Sequence, residues 1–525
     1  MPTVRFPLYQ HKSIREDGVD KDSSLINMFP EEDPNGYIYL RTRPGTLVFE
    51  TQDTEPFGRG RGVFNWDDNL IIAVGTRLFA AIRLFNQQYE AFIAGSTVGS
   101  FGFGSNILEQ ILLDQDEEEE EENGVEIFGD FVEITDQLEE DQGRVSFTQS
   151  ATDQLLVLSK NTLVIVDRIG GSIQDVTVID NEEEPDFPEE TVYGIVYQDG
   201  YTFVMTPKGE IYNSDFEEPE SWNSSNFIRT LFEADESMAL TKHLNYIVAL
   251  GSRSTEFFVN EGLEPPGSPL GRADNVYLPY GCVAAESVWE TPQRLTFVAR
   301  DPSENYIVLS INNTEPEIIS NPTIERAISG EGVDASQIRG YGLRILGHEF
   351  YIMRLQNRTF VYDFETGYWH EWKLGNSNWP FGVGSAFYLN AHRLQLDENG
   401  QIVTLSEDQN SDFEGSPIER FVRTQEFEGG EGQQGVDGYK NKFLRRLELV
   451  SDLNDEEESA EVEIRWSDDD YQTWSNWKKM DLQKRPKLTR LGKFRRRAFE
   501  IRFQSPTIIR LRELELTYES GTYGV

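Results

Sequence analysis

Cysteine is almost absent from this chain of 525 residues, which contains Cys282 alone. A single cysteine excludes an intrachain disulfide and any metal site built from several thiolates. There is no phosphate-binding loop, zinc-protease motif or nucleophile elbow either. No metal-ligand spacing occurs among the histidines, which are His11, His243, His348, His370 and His392. We therefore expect no metal, no cofactor and no enzymatic activity.

Long apolar runs are also missing. No stretch approaches the roughly 20 apolar residues of a membrane-spanning helix. The N-terminus, MPTVRFPLYQHKSIRED, lacks the apolar segment of a secretory signal. We expect a protein that is made and folded in a cytoplasm.

Positive charge is scarce, because 47 Lys and Arg face 92 Asp and Glu, for a formal net charge of −45. Such a field repels nucleic acid and anionic membranes over roughly 10 Å at ordinary salt. Ordinary DNA binding needs clustered Lys and Arg that release counterions. The composition argues against tight DNA wrapping and suits a surface past which DNA slides without adhering. Adaptation to solubility or to a saline habitat would give the same composition.

The acidic excess is most concentrated in the run DQDEEEEEENG, residues 114–124. Mutual repulsion makes such a run typical of a solvated loop. The alternative is an acidic loop that faces a channel and keeps DNA from adhering. Neutralising the run would then slow DNA release. The residues concerned are Glu117, Glu118, Glu119, Glu120, Glu121 and Glu122.

Aromatic residues are abundant, with 33 Phe, 21 Tyr and 9 Trp, and they favour sheet over helix. Residues 1–55 contain several prolines and are predicted to be an extended segment. Residues 56–410 show short strands joined by turns, such as Asp199-Gly200 in YGIVYQDGYTFVM. This pattern predicts antiparallel blades of a β-propeller, with acidic loop insertions at about 105–145 and 170–190. A large β-sandwich is the alternative.

A Gly-rich and acidic stretch, residues 411–437, indicates a linker or long loop. Beyond it, segments such as AEVEIRWSDD and IIRLRELELTYES alternate between apolar and polar residues. Period-two alternation with one polar face predicts a separate C-terminal antiparallel β-sandwich-like domain over residues 438–525. The predicted fold class is therefore all-β.

Two polar motifs in the C-terminal region invite a functional interpretation. Residues 467–474, SDDDYQTW, resemble the Asp-box Ser-x-Asp-x-Gly-x-Thr-Trp, with Tyr471 where the glycine normally stands. Asp-boxes are turn elements, so the match predicts a β-hairpin more than glycosidase chemistry. The cluster at residues 452–458 contains enough carboxylates for calcium, but it lacks EF-hand spacing and favours a solvated loop.

The chain has one basic stretch, residues 478–497. DNA contact, an interface with an acidic neighbour such as an identical subunit, and a simple exposed face are the alternatives. The candidate interface residues are Lys478, Lys479, Lys484, Arg485, Lys487, Arg490, Lys493, Arg495, Arg496 and Arg497.

Several stretches, in order along the chain, resemble the phage stabilisation proteins. The N-terminal matches are Pro7-Leu8, residues 25–30, Gly36-Tyr37, Leu40-Arg41, Arg43-Pro44-Gly45 and Arg59-Gly60-Arg61-Gly62. The later matches are residues 251–258, Gly347-His348-Glu349, residues 360–363 with Trp369 and Trp372, and residues 491–496. The acidic run lies outside this pattern.

The resemblance implies a propeller-containing virion protein of short-tailed bacteriophages, the tail hub or nozzle. Such a protein forms a homohexameric ring below the portal and its adaptor, retains packaged DNA and conducts it during ejection. Its partners would be the portal–adaptor proteins, a tail needle or plug, and tail fibres or spikes. No catalytic residues are implied. The alternative function is a propeller glycosidase or a glycan-binding protein for receptor recognition.

Overall fold

The computed structural model describes most of the chain. The described residues are 3–9, 23–33, 36–49, 58–67, 69–84, 127–140, 143–169, 172–233, 235–263, 266–330, 332–407, 409–429, 440–453, 460–484, 487–504 and 509–521. Their secondary structure is almost entirely β, as the sequence predicts.

Five strands precede the first complete blade. They are β1 (Thr3–Pro7), β2 (Ser24–Ile26), β3 (Met28–Glu32), β4 (Ile38–Thr42) and β5 (Gly45–Val48). None of these strands belongs to a sheet made only of its neighbours in sequence. Each contributes to a sheet whose other strands come from the middle or the end of the chain.

Four sheets of four antiparallel strands follow in sequence order. Blade 1 comprises β6 (Gly60–Trp66), β7 (Asn69–Val74), β8 (Arg77–Leu84) and β9 (Ile127–Thr135). Blade 2 comprises β10 (Ser146–Gln149), β11 (Leu155–Ser159), β12 (Thr162–Ile169) and β13 (Ser172–Ile179). Blade 3 comprises β14 (Val196–Gln198), β15 (Tyr201–Met205), β16 (Glu210–Asp215) and β17 (Glu218–Arg229). Blade 4 comprises β18 (Ser237–His243), β19 (Tyr246–Gly251), β20 (Thr255–Asn260) and β21 (Leu270–Leu278).

Three further blades complete the described part of the propeller. Blade 5 comprises β22 (Gly281–Cys282), β23 (Trp289–Glu290), β24 (Arg294–Arg300), β25 (Tyr306–Asn312) and β26 (Glu315–Ile318). Blade 6 comprises β27 (Arg339–Ile345), β28 (His348–Arg354), β29 (Thr359–Asp363) and β30 (Tyr368–Glu371). After the short hairpin of β31 (Lys373–Leu374) and β32 (Ser377–Asn378), blade 7 comprises β33 (Ser385–Tyr388), β34 (Ala391–Gln395), β35 (Ile402–Ser406) and the N-terminal β5.

Strand β5 closes the ring. It pairs with β35 as the outer strand of blade 7, from Val48 opposite Val403 to Gly45 opposite Ser406. The chain then enters β6, the first strand of blade 1. A buried core that includes Val63 and Tyr388 joins blades 7 and 1. Comparable cores join the other neighbouring blades. The middle region is therefore a propeller, not a single large sandwich.

Burial on both faces explains the apolar runs of the middle region. Strand β7, NLIIAV, is buried from Leu70 to Val74, and β11, LLVLS, is buried throughout. Each blade packs against two neighbours, so alternating polar positions are lost. The predicted turns form as expected: Asp199 and Gly200 both have positive φ, at 52° and 87°, which a tight hairpin requires.

The last strands form a β-sandwich together with the N-terminal ones. After β36 (Ser411–Asp412) and β37 (Ser416–Pro417) they are β38 (Arg420–Arg423), β39 (Lys442–Leu453), β40 (Glu461–Ser467), β41 (Lys478–Asp481), β42 (Lys487–Thr489), β43 (Lys493–Phe494), β44 (Ala498–Phe503) and β45 (Ile509–Ser520). Among the described residues, the helices are α1 (Pro322–Ile328) and the 3-10 turns Ala285–Ser287, Ala335–Gln337, Phe413–Gly415 and Leu482–Lys484.

Both sheets of the sandwich use strands from the two ends of the chain. One has the order β3-β4-β45-β39-β42, with β1 also on β45 and β43 on β39. The other has the order β2-β38-β44-β40-β41 and continues through β2 into β30 of blade 6. Leu447 and Leu514 of the first sheet and Val462 and Ile501 of the second share one core. The predicted fold class is confirmed. The domain boundaries at 55, 410 and 437 stay predictions.

Candidate functional site

The acidic run Glu117–Glu122 lies outside the described residues, in the connection 85–126 between β8 and β9. These strands are paired as far as Leu84 opposite Ile127, so the connection leaves and re-enters blade 1 at one end of the propeller. The turn between β6 and β7 lies at the same end, because antiparallel strands reverse at each turn. We call this the hairpin end. The opposite end, where one blade leads to the next, is the linker end.

The described turn residues at the hairpin end include acids but no Lys or Arg. Their acids are Asp67, Asp153, Asp199, Glu217, Glu261 and Glu365. The described turns between second and third strands, at the linker end, carry both signs: Lys160, Lys208, Arg253, Arg358, Asp301, Glu304, Asp397 and Glu398. Links between blades add further acids to the linker end. The described turns at the hairpin end therefore lack cations, whereas those at the linker end contain them.

Strand residues beside these turns partly offset this charge, among them Arg168, Arg294 and Arg344. Arg168, on β12, lies 2.9 Å from Asp67 and 2.8 Å from Asp153, and it covers the Trp66 ring. Both carboxylates are partly exposed, so the contribution of these pairs to stability is small. The arrangement holds the turns of blades 1 and 2 together beside the attachment of the acidic run.

The basic stretch lies along one border of the sandwich. Strand β41, with Lys478 and Lys479, ends one sheet, and β42, with Lys487, ends the other. Lysines on an exposed edge strand hinder pairing with the edge of another sheet. Arg485 lies outside the described residues. The exposed cations on this border are Lys478, Lys479, Lys484, Lys487, Arg490, Lys493, Arg495 and Arg496.

Some of these cations have carboxylate partners. The ion pairs are Lys479–Glu461 at 3.2 Å, Lys484–Asp481 at 2.6 Å and Arg496–Glu426 at 3.1 Å. In the described part of the chain, no ion pair involves Lys487, Arg490, Lys493 or Arg495. These four cations are exposed and available to a negatively charged partner.

Arg497 belongs to the interior and not to this exposed border. Its side chain is 1% exposed, and its Nε and Nη2 donate to the two carboxylate oxygens of Asp468 at 2.6 and 2.7 Å. Its Nη1 donates to the carbonyl of Leu491 at 2.8 Å, and the guanidinium lies over the Phe494 ring. Among the predicted interface residues that the structure describes, Arg497 alone is buried.

The Asp-box-like segment forms a turn between β40 and β41, which pair from Glu461 opposite Asp481. Asp469 Oδ1 accepts from the Ser467 hydroxyl and from the Thr473 backbone N–H, both at 2.8 Å. Tyr471 adopts φ 63°, the left-handed conformation that the usual glycine supplies. Its hydroxyl donates to the Thr424 carbonyl at 3.1 Å, which offsets the backbone strain. The β-hairpin prediction is therefore confirmed.

Several residues of the family-like motifs hold separate parts of the chain together. Arg43 and Asp412 form an ion pair in which both side chains are 0% exposed, with Nη2 at 2.7 Å from Oδ2. Arg43 also donates to Asn27 Oδ1 and to the Lys373 carbonyl, each at 2.9 Å. Buried Arg61 donates to backbone carbonyls at Gly75 and Glu139 and thereby ties blade 1 to its link with blade 2.

Two other motif acids are also structural. Buried Glu256 pairs with Arg272 at 3.0 Å and accepts from the backbone N–H groups of Leu231 and Phe232. Asp363 accepts from His348 Nδ1 at 2.8 Å within blade 6. These contacts orient loops and strands within blades 4 and 6.

A cavity of about 310 Å³ lies on the propeller axis, between the inner strands of several blades. Its walls include Arg144, Lys242 and Glu290, which belong to blades 2, 4 and 5 or their links. Glu290 is an exposed residue that lines the cavity, and partial loss of hydration there raises its pKa to about 7 against the opposing effect of the Lys242 charge. Sequence reasoning missed the cavity because its residues are far apart in the chain.

The described residues lack two further features. No group of three or more His, Cys, Asp and Glu there could hold a metal ion. No helix in the described ranges is long and apolar enough to cross a membrane. Most of the acidic cluster at 452–458 lies outside those ranges.

Comparison with known proteins places the chain in a family. The family model described as "Bacteriophage P22 Gp10, beta-propeller" matches residues 129–404. No curated protein sequence matches the chain. Similar solved structures include PorZ, a bacterial surface component of the type-IX secretion system of Porphyromonas gingivalis, with 10% identity and TM-score 0.34. They also include the mitotic checkpoint complex, with 10% identity and TM-score 0.38, and the N-terminal domain of Nup159, with 9% and 0.36.

Coverage differs among these structures. The matched region is 81% of this chain and 46% of PorZ, so the chain spans less than half of PorZ. The corresponding shares are 70% and 94% for the checkpoint structure and 73% and 99% for Nup159. At such low scores these structures add no functional argument. The family match covers more than half of the chain, which therefore belongs to the phage stabilisation protein family of bacteriophage structural β-propellers.

Proposed function

We propose that the chain is a tail-hub or nozzle subunit that retains packaged DNA below the portal and adaptor and conducts it during ejection. The observation that carries the proposal is the family match over residues 129–404. The charge distribution supports it, because a surface with a net charge of −45 repels a polyanion that must pass without adhering. In this role the chain is a component of the virion tail.

DNA would pass between subunits and not through one propeller. The axial cavity measures about 310 Å³ and is lined by side chains. A B-DNA duplex is wider than its major groove, which alone measures roughly 12 Å across. A duplex therefore does not fit into a cavity of this volume. The conduit therefore requires several copies around a common axis, and a homohexamer is the arrangement we propose.

The hairpin end is the surface that we assign to the conduit. Its described turns carry acids without Lys or Arg, and the connection with Glu117–Glu122 is attached there. An unpaired cation on this surface would attract passing phosphates and slow the DNA, whereas Arg168 and Arg344 at this end are paired with carboxylates. The linker end, whose turns include Lys160 and Lys208, would face other subunits or proteins.

The basic border of the sandwich is the proposed contact with an acidic neighbour. Lys487, Arg490, Lys493 and Arg495 would face carboxylates of another subunit or of a portal–adaptor protein. Such complementary charges fix register and partner choice. A tail needle or plug and tail fibres or spikes are the other partners that we propose.

Mass and shape measurements test this function. Light scattering and negative-stain imaging would be applied to the protein alone and mixed with a portal–adaptor complex. We expect a ring, either free or formed only on the portal. Reversing the charge of Lys487, Arg490 and Lys493 should weaken assembly without unfolding the chain, whereas Lys484→Glu serves as a matched control because Lys484 already pairs with Asp481. A monomer that ignores the portal would refute the proposal.

We also propose that the protein has no enzymatic activity. The Asp-box-like turn is a hairpin in the sandwich, held by its own hydrogen bonds, so it gives no support to a glycosidase. A panel of glycoside substrates checks this point. Turnover that survives further purification would revive the glycan-active alternative.

A further inference from the structure

The outer face of one sandwich sheet carries arginine and tryptophan side chains in contact with one another. The Asp-box-like hairpin between β40 and β41 supplies the two indoles, Trp474 and Trp477. The Arg465 guanidinium lies 5.0 Å from the Trp474 ring centre and 4.4 Å from that of Trp477. The guanidinium of Arg502 lies over the Trp477 ring at 4.2 Å, and that of Arg423 lies over the Trp474 ring at 5.7 Å. We call these five side chains the arginine–tryptophan stack.

The strand register explains why the three arginines meet on this face. Glu500 on β44 is the register partner of Arg423 on β38 and of Arg465 on β40. Both arginines pair with its fully buried carboxylate, at 2.7 Å and 2.5 Å. Arg502, also on β44, pairs with Glu463 at 2.7 Å. Ion pairs and ring contacts together hold the guanidinium groups in fixed positions.

Part of each guanidinium nevertheless stays open. Arg465 donates to Glu500 through Nε, and its two terminal nitrogens have no hydrogen-bond partner among the described residues. Arg502 uses Nε and Nη2 for Glu463, which leaves Nη1. The side chains of Arg465 and Arg502 are 28% and 41% exposed. The stack therefore presents fixed cationic donors to solvent.

The local charge favours an anionic partner. The three arginines of the stack face two carboxylates, those of Glu463 and Glu500, so cations are in excess here although the whole chain has a net charge of −45. A long polyanion such as DNA meets the field of the whole chain. A short acidic segment of a protein meets mainly the charge within the screening distance of roughly 10 Å. Clusters of arginine commonly recognise acidic motifs in other proteins.

The spacing of the donors limits the shape of this partner. The guanidinium carbons of Arg465 and Arg502 both lie within 4.4 Å of the Trp477 ring centre, so they are at most about 9 Å apart. In an extended strand, alternate side chains lie on one face roughly 7 Å apart. We propose that the arginine–tryptophan stack binds an extended acidic segment of a partner protein, whose carboxylates on alternate residues contact Arg465 and Arg502. This surface is independent of the proposed tail function.

Binding of defined peptides to the full chain tests the proposal. A labelled peptide of alternating serine and glutamate would be titrated by fluorescence anisotropy. Its controls are the same peptide with glutamine for glutamate, a peptide of the same composition with its glutamates in one block, and a single-stranded oligonucleotide. We expect the alternating peptide to bind saturably and most tightly, and added salt to weaken its binding. The proposal is overturned if no peptide binds saturably, if the glutamine or block peptide binds equally well, or if the oligonucleotide binds more tightly.

Variants locate the site on the surface. Arg502→Gln removes a donor whose partner Glu463 is itself partly exposed, so the fold should persist while affinity falls roughly tenfold. Arg465→Lys keeps a cation beside the buried Glu500 carboxylate but loses the planar group, and we expect a similar loss. Arg512→Gln is the matched control, because Arg512 lies over the Tyr37 ring at 3.9 Å on the other sandwich sheet. An equal loss of affinity in Arg512→Gln, or no loss in either stack variant, would refute the site.

Discussion

The buried ion pair Arg43–Asp412 should be among the single contacts whose disruption lowers the free energy of unfolding most. It joins the segment between β4 and β5 to β36, which are more than three hundred residues apart in sequence. Asp412 accepts from Arg43 Nη1 at 2.8 Å and Nη2 at 2.7 Å, and neither side chain reaches solvent. Replacing Asp412 with alanine leaves an unneutralised buried guanidinium. We expect the free energy of unfolding to fall by about 3–5 kcal/mol.

The double variant makes the reasoning specific. In Arg43→Met/Asp412→Leu both charges disappear, and apolar side chains of similar volume fill the site. Such replacements are often neutral or stabilising for buried ion pairs. The double variant should therefore be more stable than Asp412→Ala alone, although Arg43 also loses its bonds to Asn27 and Lys373.

Urea unfolding followed by tryptophan fluorescence is a suitable assay, because the Arg43 guanidinium lies 4.6 Å from the centre of the Trp379 ring. The matched control is Glu461→Ala, which removes the exposed pair with Lys479 at 3.2 Å. Exposed pairs contribute about 0.2–1 kcal/mol. The reasoning is refuted if Asp412→Ala costs no more than Glu461→Ala.

Three further predictions concern other sites. Arg497→Met should lower the free energy of unfolding by about 1–3 kcal/mol, because the Leu491 carbonyl and the partly exposed Asp468 carboxylate lose their donor. Arg495→Met should change it by less than about 0.5 kcal/mol, and equal effects in urea unfolding would contradict the burial of Arg497. Tyr471→Phe should lower the free energy of unfolding by about 1 kcal/mol, because the hydrogen bond to the Thr424 carbonyl is lost. An unchanged midpoint of urea unfolding would show that this bond does not contribute to stability. Burial lowers the pKa of His370 to about 3, so the unfolded chain binds a proton at this residue at higher pH than the folded chain does. The free energy of unfolding should therefore fall as the pH drops from about 6.5 towards 3. A His370→Phe variant should lose less stability over that range, and parallel pH profiles of the two proteins would refute this.

The propeller could be predicted from local patterns because each blade is local. Strand, turn and strand are adjacent in sequence, and turns such as Asp199-Gly200 have a clear signature. The number of blades could not be predicted, since no strict repeat exists. Blade 7 also borrows β5 from the other end of the chain.

Which strands make up the sandwich could not be predicted from the sequence, for a related reason. Period-two alternation predicted its C-terminal strands, but the pairing of Thr3 with Thr517 leaves no local signal. The prolines of the N-terminal segment predicted extended chain. They did not predict which sheet that chain would join.

Individual site residues show the same limit. Neighbouring arginines at 495 and 497 look equivalent in RRRAFEIRF, yet Arg495 is exposed and Arg497 is buried against Asp468. The axial cavity collects Arg144, Lys242 and Glu290 from different blades. Tertiary packing decides such roles, and a charge pattern alone does not reveal them.

Retention of packaged DNA is the most direct test of the proposed tail function. DNA-filled heads that carry the portal and adaptor but lack this chain would be treated with nuclease before and after addition of the purified protein. We expect the DNA to be digested without the protein and protected once it has assembled on the portal. DNA that is equally protected, or equally digested, with and without the protein would contradict the account.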